Sequence, residues 1–513
     1  MTIDYLSQGE RKRVLDEILN NEENLRRKEN SLMSLEVYKG RQRPFILEKL
    51  RQEMGPNSVI QGRTITSINL TKKIIKEKSS LYRNEPKREF LNVSEDQLSH
   101  ILNLYNYSQA NSKLKKTNEI YKLQDQAMLQ AVLKDGVIEL RPLYHHHYDV
   151  IPSGDNPEKM ECVIMSSFDK WRLFSMNVKG DVGFKPTSRT NYYSDFNNQL
   201  IADPDDYKAK TLFYWWTDKF NFITNSKGEI VDKKGVPQGN PRNEFDPLVA
   251  NPIMALPFID VAMDKDFEFF VRSGYSSTTF SIDLGALLSD TSEIARMQGW
   301  SQAIISSVDE PKDIRVGPRN ALWLKLNPND TEATRPSFEF TSPNPDLEAS
   351  LQLIENFMSL YLTSEGLSPS VINSQGRTET ATSGLDRWLK MIEKFESSQD
   401  DADLFKTVEK KLFDLIKKWN NTYANVTENG FIDDLSGVLI PDNADVLIQY
   451  KKPQMLMGED EKLNVIQKRL DMGLISQIEA IQIDRDVTRE KAEEIYKEVN
   501  SLLGIQSPNA ETE

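Results

Sequence analysis

Apolar residues recur at helical spacing through the first 55 positions, with Val14, Leu15, Ile18, Leu19 and Leu25 on one stripe and breaks near Gly40 and Pro44. The same spacing predicts a second helix over 66–83, ended by Pro86, and a third from Ser94 to about Lys134. Ser94 can cap the free N–H groups of that third helix, and Glu95 and Asp96 suit the positive end of its dipole. At Gly136 the period changes. From there to about 280, short runs such as VIELRPLY, CVIMSSF and TLFYWW alternate with turn clusters such as SGDNP and TNSKGE, which predicts a mixed, mostly antiparallel β block.

A distinctive order follows. The pattern predicts a helix over 283–307, a hairpin-like pair NALWLKL (320–326) and SFEFT (337–341), and a helix over 346–363. The chain thus runs out along one rod, makes a small β tip and returns. The first rod carries Asp283, Asp290 and Glu293 against Arg296, and the second carries Asp346, Glu348 and Glu355 with no base, so one face of the pair reads as acidic. Residues 364–384 are rich in Ser, Thr and Gly and lack periodicity. They predict a loop of a length that in a compact domain is usually functional or disordered. A long amphipathic helix in two pieces comes next, marked by Leu385, Trp388, Leu389, Ile392 and Phe395, then Leu404, Val408, Leu412, Leu415 and Trp419. Strands are predicted at FIDDL (431–435) and DVLIQY (445–450). Short helices close the chain: Gly473 can end one, Ser476 with Glu479 makes a capping box, and Thr488 begins the last.

At 513 residues the chain should hold two to four structural units, and its 38% hydrophobic and 28% charged content is globular. A single cysteine, Cys162, excludes an internal disulfide framework and a multi-cysteine zinc site, and fits a reducing compartment. The N-terminus has no apolar signal core, and the best apolar stretch, NPIMALPFIDVAM, is interrupted by Pro257 and Asp260. The expectation is a soluble, intracellular protein that spans no membrane. The net charge of −14 is uneven, since residues 1–90 carry 19 Lys and Arg against 13 Asp and Glu. That excess reads most simply as a solvated helix face, and more sharply as a docking surface for an acidic partner. A uniformly basic nucleic-acid binder is not expected.

No phosphate-cradling loop, dinucleotide fingerprint, zinc-protease helix, nucleophile elbow or EF-hand loop is present, so no enzyme, cofactor or metal is expected. The most enzyme-like run is Tyr144 to Asp149. On a strand, His145, His147 and Asp149 would share a face and could hold a transition metal, which keeps a metal-dependent enzyme as the remote alternative. Adjacent histidines near a strand end are more often solvated or structural. The aromatic run Phe213 to Trp216 could stack bases, but its acidic flanks Asp205, Asp206 and Asp218 favour a buried strand.

Taken in order, four stretches resemble the portal proteins of tailed bacteriophages: INLTKKIIKEKSSLYRNEPKR (68–88), NPIMALPFIDV (251–261), the run from IRVGPRNALWLKLNP to FEFTSPNPDLEASLQLIENFMSLYLTSEGLSPSVI, and TSGLDRWLKMIEKFESSQ with the later GLISQIEAI and DVTREKAEEIYKEV. The resemblance implies an α+β portal fold. Its parts would be a wing (1–282), stem helices (283–307 and 346–363), a small β clip (308–345), a tunnel loop (364–384), long tunnel and wing helices with a β segment (385–450), and an α-helical crown (451–513). It implies a homo-oligomeric, dodecameric ring at one capsid vertex, in the virion after assembly in the host cytoplasm, through which double-stranded DNA is packaged and ejected. The tunnel loop would bring Asn373, Gln375, Arg377 and Thr378 toward DNA, and the stem would line the channel with Asp283, Asp290, Glu293, Asp346, Glu348 and Glu355. The clip, with Arg315, Arg319, Trp323 and Lys325, would meet the terminase large subunit and later a head–tail adaptor. Major capsid and scaffold proteins would touch the wing. The alternative within the same class is another ring-forming head–tail connector or a scaffold-like protein.

Overall fold

The computed structural model describes residues 3–54, 65–166, 211–263, 265–271, 274, 276–298, 302–307, 322–325, 337–341, 347–367, 392–426, 430–450, 459–473, 475–485 and 489–502. Helices α1 (Gln8–Asn20), α2 (Glu22–Tyr38), α3 (Arg43–Met54) and α4 (Leu70–Lys78) open the chain. The break between α1 and α2 is set by Asn21, whose side chain accepts from the backbone N–H groups of Glu23 and Asn24. Strand β1 (Lys87–Leu91) leads to α5 (Glu95–Tyr107) and α6 (Ala110–Gln124), and Ser94 with Gln97 forms a complete capping box on α5.

The third helix expected from the sequence is therefore two helices and a strand. Gln109 and Asp125 take left-handed conformations, at φ +53° and +58°, and end the helical path. The run AMLQAVLK, made of good helix formers, is strand β2 (Ala127–Lys134) because it lies between β3 (Val137–Leu143) and β8 (Phe258–Val261). Asp135 and Gly136 both have positive φ and close the β2–β3 hairpin in the manner an Asp-Gly pair favours. A Cβ on Gly136 would meet the backbone nitrogen of Ile432 at 3.0 Å, so the turn also needs glycine for space.

A second sheet has the order β4 (Tyr148–Pro152), β5 (Met160–Ser166), β6 (Phe213–Trp216), β7 (Asn221–Thr224), all antiparallel. Helix α1 covers it: Leu15 packs with Ile164, Phe213, Trp215 and Phe222, which agrees with a buried strand for the aromatic run. The chain then forms α7 (Ser277–Gln298), β9 (Gln302–Ser307), β10 (Leu322–Lys325), β11 (Ser337–Thr341), α8 (Leu347–Ser364), α9 (Ile392–Tyr423) and β12 (Asp445–Gln449), which pairs with β1. The other late segment expected as a strand, FIDDL (431–435), instead contains a 3-10 turn over Asp433–Leu435. Residues Leu385, Trp388 and Leu389 lie outside the described residues.

Two compact units result, one of residues 1–361 with 398–451 and one of 362–397 with 452–513. The first has its largest core where α5, α6, β2, β3 and α9 meet, around Ile101, Leu114, Leu129, Leu140, Leu412 and Ile416. Trp419 locks it by donating its indole N–H to the Ala131 carbonyl at 2.8 Å. In the second unit, α10 (Glu459–Asp471), α11 (Gln477–Arg485) and α12 (Arg489–Leu502) pack in succession. Gly473 follows α10 at φ +69°, and Ser476 with Glu479 makes the expected box at the start of α11. Among the described residues no helix is long and apolar enough to cross a membrane.

Candidate functional site

The helix, small sheet, helix order expected between 283 and 363 is present with different bounds. Helix α7 begins earlier, at Ser277, and ends at Gln298, and QAIISS is a strand where a helix was expected. The hairpin is also not the expected one. Strand β9 is central, with β10 parallel to it and β11 antiparallel, so NALWLKL and SFEFT each pair with QAIISS and not with each other. A β-branched run between two polar ends suits a central strand, which is why the helical period does not continue through it.

The two helices are joined near their chain-distant ends. Phe280, fully buried near the start of α7, stacks on Tyr361 near the end of α8, with ring centroids 3.9 Å apart and planes 10° from parallel. Phe357, one turn back on α8, tilts against the same ring at 5.2 Å. The chain therefore returns to the place it left.

Charge on the two helices is distributed differently. Helix α7 lies against α2, α3 and α4, and Ile282 and Ala286 pack with Val37, Ile46 and Leu50. Gly285 makes that contact possible, because a Cβ there would collide with Ile46. Polar pairs continue the seam: the Thr71 hydroxyl lies 2.6 Å from that of Ser281, the Thr66 N–H donates to the Ser289 hydroxyl at 3.0 Å, and the Thr66 hydroxyl lies 3.1 Å from that of Ser292. Asp283 accordingly pairs with Lys49 at 3.1 Å, and Glu293, largely buried, pairs with Arg296 at 2.9 Å. Asp290 is half-buried. The acids of α7 are thus engaged within the subunit. On α8, by contrast, Glu348 and Glu355 are exposed, together with Leu351, Leu353 and Leu360 at 52%, 59% and 72%.

Of the other sequence candidates, Asn373, Gln375, Arg377 and Thr378 lie outside the described residues, as do Arg315, Arg319 and Asp346. Trp323 and Lys325 lie on β10, in register with Ile305 and Ser307 of β9.

The histidine run is not on a strand. His145 to His147 form a 3-10 turn between β3 and β4, so the shared strand face with Asp149 does not exist. Asp149 is instead held by two cations of α2, with Arg27 at 2.8 Å on one oxygen and Lys28 at 2.5 Å on the other. Arg27 also donates to the His145 carbonyl at 2.6 Å and lies 3.6 Å above the Phe270 ring. The His146 Nδ1 is 2.9 Å from the Ser31 hydroxyl, and the His147 Nδ1 accepts the Tyr144 N–H. Burial, aided by Arg27, pushes His145 down to about 3. Burial, aided by its histidine neighbours, Lys28 and Lys39, pushes His146 to about 2, and burial with Lys39 pushes His147 to about 4. The turn is a neutral docking plug for α2. Among the described residues no group of three His, Cys, Asp or Glu side chains is placed to hold a metal ion.

One polar centre escaped the sequence reading. Glu409, fully buried on α9, accepts from the hydroxyls of Tyr82 and Tyr450, each at 2.7 Å, and from Arg88 at 2.5 Å on its other oxygen. It ties the segment after α4, strand β1 and the end of β12 to one helix. The available signal was a carboxylate beside Val408 inside the apolar stripe of α9, but its partners lie more than 300 residues earlier and 41 residues later.

No protein-family model matches the chain, and no curated protein matches it. Among solved structures it matches a chain of one described as the neck of an empty GTA particle computed with C6 symmetry, at 10% identity and a TM-score of 0.35. That match covers 83% of this chain and 95% of the other. At that score the match establishes neither a shared fold nor a shared role.

Proposed function

We propose that the chain is a portal-type subunit. Copies of it form a ring at a capsid vertex, and residues 277–364 form the wall and outer tip of a channel for double-stranded DNA. The observation that carries this reading is the excursion itself: two helices joined by the Phe280–Tyr361 stack, with a three-stranded sheet between their far ends. It supports the order of parts on which the resemblance to portal proteins rests.

The physics of a passage for DNA fits α8 better than α7. Exposed Glu348 and Glu355, repeated by rotation, would present like charge to phosphates, so a duplex finds no fixed site and slides. The apolar exposure of Leu351, Leu353 and Leu360 on the same helix suits burial between copies. Asp283 and Glu293 serve the packing of α7 within the subunit, and the lining role moves to the acids of α8. In this reading the sheet of β9, β10 and β11 meets the terminase motor and later the adaptor, the 364–384 segment approaches DNA through Arg377, and the chain catalyses nothing itself.

Imaging the purified full-length chain by negative-stain electron microscopy tests the proposal. Hollow rings with a central bore support it. Filaments would favour a scaffold-like role, and a monomer at every concentration would overturn both.

A further inference from the structure

Phe267 is the most exposed large apolar side chain among the described residues, at 81%, and its backbone is left-handed, at φ +55°. A bulky residue in that region is strained, and such strain persists only where the surroundings fix it. Here they do. On one side, Lys265 pairs with Asp260, donates to the Glu158 carbonyl and lies 4.0 Å above the Phe269 ring. On the other, the Gln126 side chain clamps the backbone, donating to the Phe269 carbonyl at 3.0 Å and accepting the Val271 N–H at 3.1 Å. Phe269 is buried, and Phe270 lies under Arg27. The strap is held on both flanks, and the Phe267 ring projects outward between exposed Asp266 and Glu268. A pre-set aromatic at the centre of an interface is the type of residue that carries most of the binding energy.

A matching receptor lies elsewhere on the same unit. Between α6 and the end of β3 is a cavity of about 350 Å3 with Ile120, Pro142 and Tyr144 among its walls. Lys113, Lys115 and Lys116 also line it. Lys116 is answered by Glu119 at 2.9 Å, which leaves Lys113 and exposed Lys115 to set the positive character of the rim. The cavity is at the small end of the range that holds compact ring-shaped groups. An apolar hook flanked by Asp266 and a cavity whose apolar floor of Ile120, Pro142 and Tyr144 is rimmed by three lysines and Glu119 are complementary in shape class and in net charge. Because they are different patches of one chain, joining them between copies is a head-to-tail contact, which repeats from copy to copy and gives a ring when the rotation between neighbours closes.

We propose that Phe267 of one copy inserts into the α6–β3 cavity of the next, with Asp266 facing Lys113 and Lys115. The contact rests on the ring reading above and names the surfaces that join its copies.

The test uses the full-length chain with Asp266→Cys and Ser112→Cys together, which keeps the Phe267 ring; both positions are exposed, and Ser112 also lines the cavity. The natural Cys162 is fully buried and does not compete. Oxidation should give a ladder of covalent oligomers from the double variant, but only linked pairs from an equal mixture of the two single variants. By mass photometry, Phe267→Ala should raise the half-assembly concentration about tenfold or more. Asp266→Lys should do the same, and Lys113→Glu with Lys115→Glu in the same chain should restore assembly. Unchanged circular dichroism confirms that each variant folds. Rings that form normally with Phe267→Ala and give no ladder would overturn the contact while leaving the ring reading intact. A wild-type chain that is monomeric throughout would overturn both, and a product that stops at pairs in the double variant would overturn the head-to-tail geometry.

Discussion

His147 shows how a residue type that suggests chemistry can serve packing. Its Nδ1 accepts a backbone N–H, and burial holds the ring at about 4 against an ordinary 6.5. The unfolded chain takes protons at His145, His146 and His147 below 6.5, while the folded turn refuses them until about 4 or lower. Stability is therefore fully present above 6.5 and falls as the pH drops from there toward 4. Replacing His147 with Asn, whose side-chain oxygen can take over the Tyr144 bond, should remove one proton from that difference. Denaturant titrations at pH 6 and pH 5 should then show a slope shallower by about 1.4 kcal/mol per pH unit. An identical slope would mean that the ring titrates normally in the folded protein. The two cations on Asp149 were not foreseeable from the sequence, because Arg27 and Lys28 sit about 120 residues away on a helix that reads as solvated.

At the scale of elements, local signals were legible where local chemistry decides. The cap at Ser94, the box at Ser476, the strand β12 and the buried aromatic strand β6 all follow from a few neighbouring residues. Two segments misled for a common reason. AMLQAVLK has helical propensity but fills the centre of a sheet, and QAIISS lay within an expected helix but takes partners from residues 322–325 and 337–341. Long-range pairing overrode propensity in the first case and ended the helical period in the second. The α7–α8 junction was legible only as an order of elements, and its aromatic stack was not. Phe280→Ala should cost about 3–5 kcal/mol, as a buried aromatic does. Because Tyr361 and Phe357 lose the same partner, amide exchange should rise in 347–364 as well as in 277–298. Exchange that rises in α7 alone would show that the stack does not couple the helices.

For the whole molecule, the portal-type reading assigns the sliding surface to α8 and a single cation, Arg377, to the segment that follows it in the sequence. Reversing that charge with Arg377→Glu should lower packaged-DNA yield severalfold while ring assembly is unchanged, because one weak contact per copy steers the backbone without joining subunits. Equal yield would remove the loop from the DNA path. The most direct measurement is a cryo-electron microscopy map of the assembled full-length chain, read for where α8 lies relative to the symmetry axis. The account predicts a closed ring with Glu348 and Glu355 facing a bore wide enough for a duplex. A ring with α8 on its outer surface, or no ring at all, would contradict it.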